Sequence, residues 1–438
     1  MSIELVTLVM FGGLIVCLTL GIPLAWSLGG VSAIVCYLLW GTEGMLLIIV
    51  NSFGAMWTII LIAMVFFIAM GILLERAGIA EALFETMHLW SGPLRGGIAM
   101  GTVVICAIFA AMSGLTATAT ITMGLIAVPA MLRRGYNKDI ALGTVAGAGT
   151  LGILIPPSII SIMLALVGRI SVGKLFMAGV FPGLLLGGMF IAYIGIRAWL
   201  NPKLCPPHPE KFTLRQKTIA LRAVVLPLLI ILAVLGSIFF GIATPTEASA
   251  LGLVAVLIAV GVHRRFSWQL IKETTIQTFK ITAMIMWIYY GAVCFAAIYA
   301  RAGGIIFISD LIMGLGLNPW GIVIIITLIA FFLGMILDPF AIMFILVPIS
   351  FPIIRELGFD LIWFGILFVI NMQVGYMTPP FGYQLFYLKS VSPPEITTGD
   401  IYRSIWPFVG IMILGMAIIM IFPQIALWLP NFMMQMRR

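Results

Sequence analysis

The chain has 438 residues, of which 63% are hydrophobic and only 9% charged, against about 45–50% and about 25% in ordinary soluble domains. These proportions exclude a water-soluble globular fold and describe an all-α polytopic membrane protein. The net charge of +8 is then no nucleic-acid signal, because lysine and arginine collect in the cytoplasmic loops of membrane proteins.

In chain order, the first apolar segment, Leu5 to Leu24, lacks a basic start and a small-residue cleavage pattern, so it reads as a retained helix rather than a signal peptide. A span needs about 20 apolar residues. That criterion predicts spans near 5–24, 29–49, 54–75, 138–168 and 175–197, then near 222–241, 246–262, 277–300, 360–391 and 402–428. Ile79 to Trp90 is amphipathic and suits the membrane interface. Glu75, Arg76 and Arg301 sit at span ends and read as interfacial anchors. His88, His208 and His263 fall in interfacial or loop stretches, which argues against a histidine proton relay. Cys17, Cys36, Cys106 and Cys294 lie in apolar runs and Cys205 in a polar loop; with no CxxC pair, they read as packing residues. The longest polar stretch, Arg197 to Arg222, is too short to bury a core of its own.

Two apolar stretches are interrupted at their centres. Residues 96–132 break at Ser113-Gly114-Leu115-Thr116-Ala117-Thr118, and residues 319–354 break at Leu337-Asp338-Pro339-Phe340. Each arm is short for a span, so both stretches are expected to be re-entrant helical hairpins with polar tips. The segments 138–168 and 360–391 are too long for one straight span and carry Pro156-Pro157 and Pro379-Pro380 near their middles. Each is expected to be a broken helix, two half-helices joined by an unwound crossover.

The chain also repeats itself. Pro129, Gly135, Gly152, Pro156 and Pro157 recur as Pro352, Gly358, Gly375, Pro379 and Pro380 (352 − 129 and 380 − 157 both give 223). Five crossings per half is an odd number, so the two repeats are expected to be inverted. Arg133, Arg134 and Lys138 against Asp139 follow the first hairpin, whereas Arg355 against Glu356 and Asp360 follows the second. Six basic residues against Glu210 fill the 197–222 loop, and His263-Arg264-Arg265 is basic too. Placing the basic loops inside puts the first hairpin on the cytoplasmic side and the second outside. Both termini then lie outside, with Arg437-Arg438 on the unfavoured side. The implied division is scaffold helices over 1–75 and 222–300, a cytoplasmic linker over 201–221, and an arm, hairpin, broken helix and following helix over 76–200 and 301–438.

Duplicated halves with glycine and proline breaks at matching places point to a secondary transporter, whose breaks expose carbonyls and helix ends to ions and substrate. Asp338 is the only charged residue between Asp310 and Arg355. A charge at that depth marks a functional site, and Asp338 also suits a helix cap with Pro339 in the first turn. The first tip carries hydroxyls instead, on Ser113, Thr116, Thr118, Thr120 and Thr122. Thr118 and Thr122 share a helical face and could equally bond between helices. Pairing each tip with the crossover of its own repeat gives two candidate ion sites. One comprises Ser113, Gly114, Thr116, Thr118, Gly149, Thr150 and Gly152; the other comprises Asp338, Pro339, Gly375, Met377 and Thr378. A substrate site between them would use Leu115, Thr116, Pro156, Pro157, Ser158, Pro379 and Pro380. Hard cations such as Na⁺ suit such carbonyl and hydroxyl cages, and the helix N-termini favour an anionic substrate.

Together Met112 to Thr118, Gly124 with Pro129, Gly135-Tyr136, Gly149 to Ser158, Ala243 to Ala248, and Asn371 to Gly382 resemble the large membrane (DctM-like, M) subunit of tripartite ATP-independent periplasmic (TRAP) transporters over nearly the whole chain. The resemblance implies a Na⁺-driven importer in the bacterial inner membrane that moves by an elevator mechanism. It also implies a small four-helix (Q-type) membrane subunit, a periplasmic substrate-binding protein, and an organic acid or zwitterion as substrate, with no cofactor beyond Na⁺. Leu115 departs from the family's serine-richer tip, so a backbone carbonyl rather than a side chain would serve there. Thr244-Pro245-Thr246-Glu247 suggests only the start of a scaffold helix. The alternatives are a stand-alone ion-coupled organic-anion carrier and, further off, a membrane-embedded enzyme, for which the clustered Asp, His or Arg residues are missing.

Overall fold

The computed structural model describes residues 1–91, 94–207, 213–314 and 316–437, so His208, Glu210 and Arg438 lie outside the described residues. Among the described residues all regular structure is helical, as it must be where backbone groups leave water and have no sheet to join. The first half holds α1 (Ile3–Thr19), α2 (Leu24–Met56), α3 (Ile60–Arg76), α4 (Ile79–Ser91), α5 (Gly97–Ser113), α6 (Thr116–Arg133), α7 (Lys138–Thr150), α8 (Ile159–Gly168) and α9 (Val172–Leu200). The second half begins with α10 (Leu214–Ala220), α11 (Arg222–Phe239), α12 (Pro245–Val262), α13 (Trp268–Arg301) and α14 (Gly304–Met313). It ends with α15 (Pro319–Gly334), α16 (Pro339–Glu356), α17 (Leu361–Met377), α18 (Tyr383–Val391), α19 (Thr398–Ile421) and α20 (Gln424–Met436).

Eight of the described helices are long and apolar enough to cross a membrane by length and composition. Several expected spans have different limits. The span near 29–49 belongs to the 33-residue α2, whose path bends at Gly41, with φ 63° and ψ −153°. That near 402–428 divides, because Pro423 cannot continue the helix that ends at Ile421. The motif at Thr244 does start a helix. Thr244 Oγ1 accepts from the Glu247 amide at 3.3 Å, and a Glu247 carboxylate oxygen accepts from the Thr244 amide at 2.7 Å. This reciprocal cap satisfies two of the amides a helix start leaves open.

Helices packing inside a membrane gain nothing from hydrophobic transfer, so close approach through small residues matters more. A Cβ on Gly291 of α13 would lie 2.7 Å from the Ala25 carbonyl oxygen of α2. Gly143 and Gly147 of α7 face the Phe408 ring of α19 in the same way. The Trp363 indole donates to the Ile419 carbonyl at 3.0 Å and ties α17 to α19.

Three polar features differ from expectation. Arg76 pairs with Glu273 and donates to Gln277 at 2.6 Å, and the Arg301 guanidinium sits 5.8 Å from the Trp40 ring centroid, so both join helices rather than only marking an interface. The start of the expected 201–221 linker folds back onto the bundle. Its Leu204 carbonyl accepts from the Asn137 amide at 2.9 Å and its Cys205 carbonyl from the Gly96 amide at 3.2 Å. Burial there pushes the Cys205 thiol up to about 11, which suits packing rather than reactivity. Arg437 donates to the Ile238 carbonyl and, at 3.3 Å, to the Phe239 carbonyl, capping the end of α11.

The α2–α13 contact makes a stability prediction. Gly291→Leu should destabilise the protein by about 1–3 kcal/mol through overpacking, read as a lower unfolding midpoint in detergent. Gly12→Leu, where a Cβ meets nothing within 4 Å, should keep the wild-type midpoint.

Candidate functional site

Both Pro-Pro segments break. After α7 the chain makes one tight turn at Leu151–Ile153, passes Pro156-Pro157, and restarts as α8 under a Ser158 cap. Ser158 Oγ accepts from the Ser161 amide at 3.3 Å and donates to the Ile153 carbonyl at 2.6 Å. In the second half α17 stops at Met377, Thr378 is extended, and α18 begins after Gly382, whose φ of 48° is cheap only for glycine. Both Pro-Pro peptide bonds are cis.

The two interrupted stretches form helix pairs with short tips. At the first, Gly114 takes φ 61° between α5 and α6. At the second, one Asp338 carboxylate oxygen accepts from the Phe340 and Ala341 amides at 2.9 and 3.1 Å, with Pro339 in the first turn of α16. The capping role of Asp338 is thus directly visible.

Each tip lies on the crossover of its own half. A Cβ on Gly114 would come within 2.7 Å of the Pro157 carbonyl oxygen, and one on Gly152 within 3.1 Å of the Leu115 carbonyl. The Ile159 amide points at the Gly114 carbonyl oxygen, 3.5 Å away. In the second half the Phe381 amide donates to the Met335 carbonyl at 3.3 Å, and a Cβ on Gly375 would sit 2.8 Å from the Gly334 Cα. Only glycine lets two backbones meet so closely.

The halves are also joined to each other. The Gln373 amide nitrogen donates to the Thr150 carbonyl at 2.9 Å, between residues 223 positions apart, the same displacement that relates the repeated motifs. Thr116 Oγ1 and the Tyr376 hydroxyl are 2.9 Å apart. Gln384 donates to Thr120 Oγ1 and, at 3.1 Å, to the Ala146 carbonyl. Ser113, Thr116, Thr118, Gly149, Thr150, Gly152, Pro156, Pro157, Ser158, Gly375, Met377 and Thr378 are all buried in this region. The side-chain oxygens of Gln373 and Gln384 and the hydroxyl of Thr144 are buried without a partner among the described residues. Buried acceptors of that kind are what a hard cation or an ordered water takes up.

Two candidate residues stand apart. Pro380 is exposed and its carbonyl accepts from the Tyr402 hydroxyl at 3.1 Å, so it faces α19 rather than the shared interior. Leu115 is half-buried and caps nothing with its side chain. Sequence reasoning missed Gln373, Gln384 and a tyrosine group in which Tyr376 stacks on Tyr383, centroids 6.3 Å apart, with Tyr387 at 6.5 Å. The signal was present: amides and phenols on apolar helices need partners. Glu75, expected only as an anchor, brings its carboxylate to Thr118 of the first tip's helix.

A bundle of apolar helices, with helix breaks packed against one another, defines a multi-pass membrane protein. The comparisons make this specific: the profile described as "Tripartite ATP-independent periplasmic transporter, DctM component" matches residues 11–425, and the chain belongs to that family of TRAP transporter large permease subunits. It is 35% identical to the C4-dicarboxylate TRAP transporter large permease protein DctM of Pseudomonas aeruginosa, over 92% of this chain and 94% of the relative. It is 32% identical to the DctM protein of Rhodobacter capsulatus over 97% and 98% of the two chains. Among solved structures, the YdaH transporter of Alcanivorax borkumensis shares the fold, with a TM-score of 0.63 over 92% of this chain and 96% of that one, at 15% identity.

The tip at Asp338 allows its cap and its charge to be separated. Asp338→Ala should lower stability by about 1 kcal/mol by removing the cap, whereas Asp338→Asn, which still accepts the amide bonds, should leave the unfolding midpoint unchanged. A fall of equal size in both variants would mean that the charge, not the cap, stabilises the tip.

Proposed function

We propose that this chain is the large permease subunit of a Na⁺-coupled importer of an organic acid or zwitterion, working by an elevator motion in a bacterial inner membrane. One observation carries the reading. Tip-on-crossover contact occurs in both halves, and Gln373 joins α17 to the end of α7, the helices that lead into the two crossovers, at positions related by the repeat. This supports two inverted repeats, with α5–α6 and α15–α16 as re-entrant hairpins entering from opposite sides.

In this scheme the hairpins and broken helices form the moving part, and α1–α3 with α11–α13 form the scaffold. Na⁺ would be held by carbonyls of each tip and crossover: Gly114, Gly149 and Gly152 with the hydroxyls of Thr116, Thr118 and Thr150 in one half, and Asp338, Gly375 and Thr378 in the other. Substrate would lie between the tips. The N-termini of α6 and α18 carry no side-chain cap, in contrast to α8 and α16. Their partial positive charge favours a carboxylate. Named relatives carry C4-dicarboxylates, as in the Pseudomonas protein, and sialic acid, as in the SiaT permease of Haemophilus influenzae. The same family membership supports a small four-helix membrane subunit and a periplasmic binding protein as partners.

Proteoliposomes containing this chain and the small subunit, supplied with binding protein, test the reading. Uptake should require an inward Na⁺ gradient and collapse without the binding protein. Gly152→Leu and Gly375→Leu should insert normally and lose nearly all uptake. Na⁺-independent uptake would remove the coupling mechanism, and uptake without binding protein would favour a stand-alone carrier.

A further inference from the structure

A cavity of about 450 Å³ lies away from the tip-and-crossover region, between α13 with Asn51 of α2 on one wall and the end of α8 with α16 on the other. Its size falls within the usual range of small-molecule sites. The volume exists because Ala292, Ala296 and Ala300 place small residues at successive turns of α13. Facing them are two arginines, Arg169 and Arg355, and no Asp or Glu lines the cavity among the described residues. Neither arginine has an ion-pair partner among those residues, whereas Arg76 and Arg403 both face carboxylates. Asn51 and Tyr289 add polar groups to the opposite wall.

Arg169 carries a second, independent mark. It ends α8 in the left-handed region, φ 51°, one of two non-glycine residues with positive φ among those described. That position favours glycine strongly, because a Cβ there crowds the backbone. A cation at a helix C-terminus is favourable, but a lysine or arginine one turn earlier would supply it without the backbone cost. Arg169 nonetheless stands at this position, exposed and among the residues that line the cavity.

We infer that this cavity is a second binding site, an entry vestibule in which Arg169 and Arg355 receive the carboxylates of a small organic anion. The inference rests on the transporter reading for its direction. In the inverted-repeat topology, Arg355 ends the hairpin on the outer face, so the cavity opens where substrate is delivered, between fixed and moving parts. Guanidinium groups suit the task because each can bind a carboxylate through two parallel hydrogen bonds.

The test is calorimetric titration of the purified permease, with its small subunit, in neutral detergent without Na⁺. Succinate is the probe and uncharged succinamide the control. Succinate should bind saturably and succinamide should not. Arg169→Gln and Arg355→Gln should each weaken binding about tenfold or more. Arg169→Gly should lose binding to the same degree while keeping or raising the unfolding midpoint, since glycine suits the backbone there. Gly12→Leu, outside both the cavity and the crossovers, should bind succinate as the wild type does. Absence of saturable succinate binding would overturn the inference, as would unchanged affinity in both arginine variants. Arginine-dependent binding of phosphatidylglycerol with none of succinate would assign the cavity to a lipid headgroup and equally overturn it. Arginine-dependent succinate binding in a protein that proves not to transport would uphold the site and sink the transport reading alone.

Discussion

The whole arrangement depends on one constraint: backbone amides and carbonyls freed at a helix break within a membrane must find partners inside the protein. The breaks at the two tips and the two crossovers are resolved against one another. The Gly114 carbonyl faces the Ile159 amide, the Met335 carbonyl accepts from the Phe381 amide, and the Thr150 carbonyl accepts from Gln373. Such contacts need backbones a few ångströms apart, which is why glycine stands at positions 114, 152, 334 and 375. The same closeness concentrates carbonyl oxygens, and a concentration of oxygens is the raw material of a cation site.

From this follows the division of labour among side chains. Asp338 places one carboxylate oxygen on the first turn of α16. Threonine hydroxyls at 150 and 378 return to carbonyls in their own helices at 2.7 and 2.6 Å. They leave lone pairs free for an ion while costing the fold no unsatisfied donor. The amides of Gln373 and Gln384 do the long-range work of joining halves, and each retains an unpartnered oxygen.

Much of this was legible beforehand because prolines and glycines act locally. The two Pro-Pro pairs, the Gly114 tip and the Asp338-Pro339 cap all lie where the sequence predicts a break. The start of α12 at the Thr244 motif was readable for the same reason, since a capping box needs residues only three apart. What stayed hidden depends on contacts distant in sequence. Tyr376 meets Thr116 across 260 positions, and nothing in the local pattern of α17 announces it. Cys205 lies in a polar loop, yet its own carbonyl and that of Leu204 accept from Gly96, at the start of the first helix pair, and from Asn137, at the start of α7. Arg169 and Arg355 are unremarkable as isolated basic residues; only the packing of α8 and α16 against α13 brings them to one cavity.

The most direct test of the central claim is a high-resolution cryo-EM structure of the assembled permease in Na⁺, compared with one in choline. The expected result is compact density in Na⁺ alone, bounded by the carbonyls of the first tip and the Gly149–Gly152 segment, with a counterpart between the second tip and the Gly375–Thr378 segment. Identical, fully protein-bonded backbone in both conditions, with no such density in either half, would contradict the idea that the breaks exist to hold the coupling ion.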